Sequence, residues 1–287
     1  PYCDFNSHVR SNINQKQWLK AYLNEIKRVS EKTSNRILNS VFFGGGTPSL
    51  IEPSIIGDVL NEIQKHWKTK NNFEVTLEAN PGSVDAKNFK AYKEAGVNRT
   101  SMGIQSLNTK DLKALGRTHT VEEALAAFEI ARQNFKAVSF DLIYARQNQN
   151  ISQWEKELSL ALSLEASHMS LYQLTIEQGT AFGDRYNRGL LKGLPNDDTS
   201  ADMYDLTLSL CEDRGLVSYE VSNYAHEGYE SIHNLIYWRY GDYIGIGPGA
   251  HGRLTIDGKK YATETVLSPE AWLKKVECDG SGESNSV

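Results

Sequence analysis

At 287 residues the chain suits one large α/β domain or two smaller ones, and its 39% apolar content suffices for a core. A net charge of −5 argues against a broad nucleic-acid-binding surface. No run of about 18 apolar residues occurs, so no transmembrane helix is expected, and no secretory signal is visible.

The hydrophobic pattern gives the elements in order. Asn14 to Ser30 reads as a helix, with Trp18, Leu19, Tyr22, Leu23, Ile26 and Val29 recurring at three and four. Ser40 to Phe43 is a short strand that empties into Gly44-Gly45-Gly46-Thr47-Pro48. Ile55 to Trp67 is a second amphipathic helix. Phe73 to Ala79 alternates as a strand and ends at Asn80-Pro81-Gly82. Asp85 to Ala95 is helical, with Gly96 suited to its C-cap. Strands at Arg99–Ser106, Val138–Tyr144 and His168–Ile176 alternate with helices at Thr109–Leu115, Val121–Asn134 and Ile151–Leu164. This βα rhythm predicts a parallel sheet with helical crossovers. After Gly179 it breaks down. Phe182 to Leu194 is loop and short helix, and Ala201 to Arg214 is a helix. Tyr219–Tyr224, Asn234–Trp238 and Tyr243–Ile246 read as short β pieces. The expected division is a barrel over 1–178, an extension over 179–278 and a disordered Gly/Ser/Asn-rich tail over 279–287.

The three cysteines, Cys3, Cys211 and Cys278, are odd in number and far apart. They argue against a disulfide framework and for a reducing compartment. Cys211 falls on the apolar face of a helix with Met203, Leu206 and Leu210 and is expected in the core.

Several residues could carry chemistry. The Gly44–Gly46 triplet is either a tight turn or a place where exposed backbone meets a polar ligand. Glu78 lies opposite the apolar set of its strand. It is a solvated rim charge, or it points into the sheet's inner side, where an inward carboxylate needs a cation. Gln105 closes the next strand with both a donor and an acceptor. Arg117, in Leu115-Gly116-Arg117-Thr118-His119, is a surface Arg ending a helix or a fork for a carboxylate. Asp141 sits amid the apolar strand Phe140-Asp141-Leu142-Ile143-Tyr144. His233, in His233-Asn234-Leu235-Ile236-Tyr237-Trp238, either hydrogen-bonds a loop or ligates.

Pro1-Tyr2-Cys3-Asp4-Phe5-Asn6-Ser7, Gly44-Gly45-Gly46-Thr47-Pro48-Ser49, Glu78-Ala79-Asn80-Pro81, Ser101-Met102-Gly103-Ile104-Gln105-Ser106 and Gly245-Ile246-Gly247-Pro248-Gly249 occur in an order that resembles the radical S-adenosylmethionine (SAM) proteins. Within them the chain is most similar to the coproporphyrinogen dehydrogenase (HemN) superfamily, in its heme chaperone branch. The resemblance implies a partial TIM-like (β/α)6 barrel of the α/β class, which about six βα units would build once a first strand is counted. It implies a [4Fe-4S] cluster, SAM and heme as cofactors. Cys3 matches the third Cys of the family's CxxxCPYCDFNS cluster motif, and Tyr2 the residue before it. The chain is therefore expected to be a fragment, without the first two motif cysteines and without the helical C-terminal domain. One thiolate cannot hold a cluster that takes four Cys, or three plus an exogenous ligand.

The resemblance gives SAM contacts to Gly45, Gly46, Thr47, Glu78, Gln105, Arg117 and Asp141, and an adenine contact to Ile246. It gives axial heme ligation to His233, ahead of His251. No catalytic residue is assigned. Two functions compete: a cytoplasmic heme chaperone that hands heme to apo-hemoproteins such as respiratory ones, with peripheral membrane association through those acceptors, and oxidative decarboxylation of coproporphyrinogen III. The dehydrogenases carry a further Cys two positions after the third cluster Cys, where this chain has Phe5, and this favours the chaperone. One departure stands out. The superfamily commonly continues DLIYGLPGQT, whereas this chain reads Asp141-Leu142-Ile143-Tyr144-Ala145-Arg146-Gln147-Asn148-Gln149-Asn150.

Overall fold

The computed structural model describes residues 2–3, 13–83 and 86–286. Phe5 and the start of the third helix at Asp85 lie outside the described residues. The chain divides into two compact units, one of residues 1–5, 77–89 and 98–230, the other of residues 6–76, 90–97 and 231–287.

The first unit carries the alternating half of the fold. Strands β3 (Arg99–Gln105), β4 (Ala137–Tyr144) and β5 (His168–Gln173) run parallel. The hairpin of β6 (Val217–Ser218) and β7 (Asn223–Ala225) adds antiparallel to β5. Through the whole sheet the strand order is β1-β2-β3-β4-β5-β7-β6, β1 being Ile37–Phe43 and β2 Lys68–Ala79. The α/β partial-barrel expectation is met. The helices α4 (Thr109–Ala114), α5 (Val121–Asn134) and α6 (Ile151–Leu162) fill the crossovers. Sequence fixes their starts: Thr120 with Glu123, and Asn150 with Gln153, form reciprocal capping boxes. Phe128 on α5 meets Phe140 on β4 edge to face at 5.2 Å, and Trp154 on α6 stacks on Tyr144 at 5.2 Å. Trp154 Nε1 also donates to Thr207 Oγ1 at 2.8 Å, tying α6 to α8 (Asp197–Glu212). Cys211 on α8 is buried as expected, and burial pushes its thiol up to about 12.

In the second unit α1 (Gln15–Thr33) packs on α2 (Pro53–His66) and on α10 (Pro269–Asp279). Trp18, Tyr22 and Trp272 form the aromatic seam with α10, with ring centroids 5.4 to 5.7 Å apart. A three-stranded antiparallel sheet joins β8 (His251–Ile256), β9 (Lys259–Thr265) and β10 (Glu283–Ser286). Two sequence expectations change here. The tail read as disordered contributes β10, paired to β9. The stretch Asn234–Trp238, read as β, belongs to a helix, α9 (Ile232–Trp238). Ser231 caps it by accepting from Asn234 N, and a five-residue apolar run has no period of its own to distinguish the two.

The loop after β4 resolves the departure from the family pattern. Ala145 and Asn148 hold φ of 55° and 60°, the left-handed region, at the two positions where the family pattern has Gly. The backbone path is thus kept without the glycines. What holds it is Arg146, only 3% exposed, whose guanidinium donates to Ile143 O, to Asp111 Oδ2 at 2.8 Å and to Glu157 Oε2. Glu157 Oε1 in turn accepts from Ser106 Oγ and Leu107 N at 2.6 and 2.7 Å. One buried ion cluster therefore ties the loops after β3 and β4 to α6. The left-handed conformation costs an L-residue such as Ala about 1–2 kcal/mol. Ala145→Gly is expected to recover about 1 kcal/mol of this, net of the added unfolded-state entropy, read as a rise in the denaturant midpoint at unchanged slope. Glu157→Ala, which leaves Arg146 buried with half its charge partners, is expected to cost about 3–5 kcal/mol in the same measurement.

Candidate functional site

Parallel strands covered on both faces are usually apolar throughout. Those of the first unit are not. Met102, Phe140, Met169 and Tyr224 are buried on one face, while Ser101, Ser139, Asp141, His168, Ser170 and Asn223 alternate with them. The register sets these side by side: Ser101 faces Ser139, Ser139 faces His168, Asp141 faces Ser170, and Ser170 faces Asn223. The polar row is hydrogen-bonded along its length. Ser101 Oγ lies 3.3 Å from Asp141 Oδ1 and 3.3 Å from Ser139 Oγ, His168 Nδ1 is 3.0 Å from Ser139 Oγ, and Ser170 Oγ donates to Asn223 Oδ1 at 2.7 Å.

Asp141 is the centre of the site. Burial pushes its pKa up to about 7, against hydrogen bonds from Ser170 and Ser101 and the nearby charge of Arg117. Tyr172, on the same strand as Ser170 and itself exposed, has its phenol pushed up by desolvation, with the charges of Asp141, Glu220 and Glu78 adding to it. Glu78 and Asp141 therefore lie within electrostatic reach of the same hydroxyl. Glu78 is half-buried, on the strand face opposite buried Val75, Leu77 and Ala79.

Opposite charge comes from Arg117, which donates from Nη2 to Gly103 O at 2.9 Å. Gln105 closes β3 with φ of 74°, a left-handed conformation in a non-glycine residue, at a break in the β3–β4 register. Strain of this kind clusters at functional sites. A Cβ on Gly103 would come within 2.9 Å of Gln105 Nε2 and 3.5 Å of Arg117 Nη2. Glycine thus keeps these two donors together. Tyr2 packs edge to face on Phe182 at 6.3 Å, and its phenol is raised by burial against the pull of Arg117, to which it hydrogen-bonds. Tyr2, Glu78, Gln105, Arg117 and Asp141 thus belong to one unit and one electrostatic neighbourhood.

The second unit holds the other expected residues. Gly45, with φ of 113°, and Gly46 are exposed, and Thr47 Oγ1 donates to Gly46 O at 2.8 Å. Behind that loop Tyr92 OH reaches Ser49 O at 2.8 Å and Ile51 O at 2.5 Å. The Ile246 side chain packs into the apolar clusters of Tyr22, Trp272, Ile26 and Val59. His233 is stacked on Phe42 at 4.5 Å and meets Tyr237 edge to face at 4.9 Å. Tyr237 OH lies 3.0 Å from His233 Nε2, and Tyr243 follows at 4.4 Å from the Tyr237 ring. Burial lowers the His233 pKa to about 4, so its imidazole is neutral near pH 7. Buried Glu74 holds the start of α9 by accepting from His233 N at 3.1 Å. His251 is exposed, 3.9 Å from Glu264.

Carboxylates for an ammonium, a guanidinium for a carboxylate and an amide for a hydroxyl fit SAM. A neutral imidazole among aromatic rings fits heme. Cys3 is an exposed thiol, free to serve as one of the three or four thiolates that a cluster takes. Among the described residues no group of three or more His, Cys, Asp or Glu could hold a metal ion. Ser139, His168, Ser170 and Asn223 were not singled out from sequence. The polar alternation of His168-Met169-Ser170-Leu171-Tyr172 in a parallel strand is the signal that could have found them.

The Radical SAM superfamily matches residues 1–161. The heme chaperone HemW of Haemophilus influenzae is 42% identical over 281 residues, covering 96% of this chain and 72% of that protein. That of Escherichia coli is 38% identical, covering 96% and 72%. The mitochondrial radical S-adenosyl methionine domain-containing protein 1 of Danio rerio is 39% identical, covering 98% of this chain and 64% of its own length. Among solved structures, the coproporphyrinogen III oxidase HemN of Escherichia coli aligns over 100% of this chain and 68% of that one, with a TM-score of 0.82 at 18% identity. The chain belongs to the radical SAM superfamily and, within it, to the HemW family.

Proposed function

We propose that the chain is the SAM- and heme-binding part of a heme chaperone. It binds heme and passes it to acceptor hemoproteins. The observation that carries the reading is His233: a neutral imidazole, half-buried, between the rings of Phe42 and Tyr237. The names of the relatives at 38% and 42% identity support it. His233 would ligate the heme iron, with Tyr237 and Trp238, 44% and 57% exposed, offering aromatic surface to the macrocycle. The acceptors are proposed to be respiratory apo-hemoproteins met in the cytoplasm, with any membrane contact made through them. No helix among the described residues is long and apolar enough to cross a membrane.

For SAM, Arg117 is proposed to take the carboxylate, Asp141 and Glu78 the ammonium, and Gln105 a ribose hydroxyl, with Tyr2 beside them. Gly45, Gly46, Thr47 and Ile246 keep the SAM contacts that the resemblance assigns. Cys3 is the residue proposed for cluster ligation. A cluster, when bound, supplies the electron for SAM cleavage; nothing in the heme reading requires that cleavage.

Heme titration followed by the Soret band tests the first reading. The protein is expected to bind heme stoichiometrically, and His233→Ala to weaken binding about tenfold or more and shift the band. An unchanged band and affinity would remove His233 as the ligand. Incubation of the full-length, cluster-reconstituted protein with coproporphyrinogen III, SAM and reductant is expected to give no decarboxylated product; product at useful rates would make the protein a dehydrogenase instead. For the SAM contacts, Arg117→Ala is expected to lose about 1.5–3 kcal/mol of SAM affinity by calorimetry. Gly103→Ala, which crowds Gln105 and Arg117, is expected to weaken SAM at little cost in stability.

A further inference from the structure

The row of hydroxyls beside Asp141 does not end at Ser139. His168 Nε2 lies 2.7 Å from Tyr219 OH. Asp141, Ser101, Ser139, His168 and Tyr219 are thus joined by four consecutive hydrogen bonds. Ser139 and His168 are each 2% exposed, while Asp141 and Ser101 at one end and Tyr219 at the other are half-buried. The two inner members cannot exchange protons with water directly, and a ligand docked on Asp141 covers that end and leaves Tyr219 as the outlet. The spacing comes from the sheet register, which pairs Ser101 with Ser139 and Ser139 with His168.

A serine hydroxyl has one proton to give, and a neutral imidazole has one N–H. The row therefore has two fully directed states. In the first, Tyr219 O–H donates to His168 Nε2, Nδ1–H to Ser139, Ser139 to Ser101, and Ser101 to the Asp141 carboxylate. In the second, the Asp141 carboxyl donates to Ser101, Ser101 to Ser139, Ser139 to Nδ1, and Nε2–H to the Tyr219 oxygen. Moving each proton one place along converts the second into the first. The carboxyl loses its proton, His168 exchanges one N–H for the other, and one proton leaves from Tyr219 to solvent. The exchange requires His168 to stay neutral. Its burial, with the Arg99 charge beside it, holds its pKa well below the ordinary value.

We propose that Ser101, Ser139, His168 and Tyr219 form the proton path by which Asp141 ionises when a cationic ligand, an alkylammonium such as that of SAM, docks against it. His168 and Tyr219 are positioning residues of that site. The inference rests on the reading of Asp141 as a SAM contact. The other groups facing Asp141 are Arg117, Ser170, Tyr2 and Tyr172, with Glu78 and Glu220 facing Tyr172. None of them joins the carboxyl to His168. The carboxyl titrates at about 7, so both states are populated near neutral pH.

The test is the tautomer of His168, read by nitrogen NMR on the 287-residue chain labelled at histidine, the signal being assigned by its loss in His168→Asn. Between about pH 5.5 and about pH 8.5 the ring is expected to pass from the Nε2–H to the Nδ1–H form as Asp141 ionises. SAM added at about pH 6 is expected to drive it to Nδ1–H. Ser139→Ala is expected to abolish both responses and Ser139→Thr to restore them. Tyr219→Phe, which keeps the ring, is expected to abolish them from the outer end if Ser139→Ala fails to fold. A single tautomer at every pH, with SAM bound in parallel calorimetry, overturns the path and leaves the SAM contact standing. A tautomer that follows pH but ignores bound SAM overturns the ligand coupling, and with it the assignment of Asp141 to SAM.

Discussion

A carboxyl group held among strands makes the heaviest demand on the first unit. An isolated ionised carboxylate away from water is very costly unless it is paired or hydrogen-bonded. Asp141 meets that cost only in part. It has the hydroxyls of Ser101 and Ser170 as hydrogen-bond partners and the Arg117 charge nearby, yet burial still raises its pKa to about 7. The neighbouring inward positions follow from this. Ser101, Ser139, Ser170 and Asn223 each sit where an apolar residue would pack, because a hydroxyl or amide there partners the carboxyl or partners its partner. The opposite face shows no such concession, with Met102, Phe140 and Met169 fully buried. The sheet is thus apolar toward its helices and polar within.

The same strands show how local strain is supported. Gln105 keeps a left-handed backbone at the end of β3, and Ala145 does so just past the end of β4. Both lie next to the buried cluster of Arg146, Asp111 and Glu157. Glu157 reaches the chain just past Gln105 through Ser106 and Leu107, and Arg146 follows Ala145 directly. A buried ion pair is weak evidence of net stability, since desolvation offsets much of the attraction. Its value here is geometric: it specifies two loop conformations that no glycine provides. Loss of the family's Gly and Pro in this loop is therefore compensated by charge, not by a new backbone path.

Much of this was legible in the sequence. The βα alternation from Phe73 to Leu164 placed the elements within a few residues, because long amphipathic helices and alternating strands declare their period. The glycine loop, Glu78, Gln105 and Arg117 stood out as glycine or polar residues at strand or helix ends, and Asp141 as a carboxyl amid an apolar strand; their SAM roles came from the resemblance. The misses have physical reasons. Asn234–Trp238 is too short to show a helical period, and its helix is decided by the Ser231 cap. The β8–β9 hairpin turns at Asp257-Gly258, both at positive φ, a local hairpin signal that the sequence does carry. The polar alternation of His168-Met169-Ser170 marks that face as unusual, but which residues partner Ser139 and His168 depends on neighbouring strands, and register cannot be read from a single strand.

His168 and His233 are both kept neutral by burial, and their surroundings separate the proposed proton path from the proposed heme ligand. His168 has both ring nitrogens engaged by hydroxyls and is almost wholly enclosed, so it can pass a proton but cannot receive a metal. His233 is half-buried, rests on Phe42, and has Nε2 engaged by the phenol of exposed Tyr237. An iron arriving at Nε2 must displace that one hydrogen bond, worth about 1 kcal/mol net. The displaced hydroxyl can turn to water, and it can return when the iron leaves. A site whose empty state is satisfied by its own tyrosine gives up its cargo more readily than one left with a bare buried nitrogen. That property suits a protein that must bind heme and then release it to another.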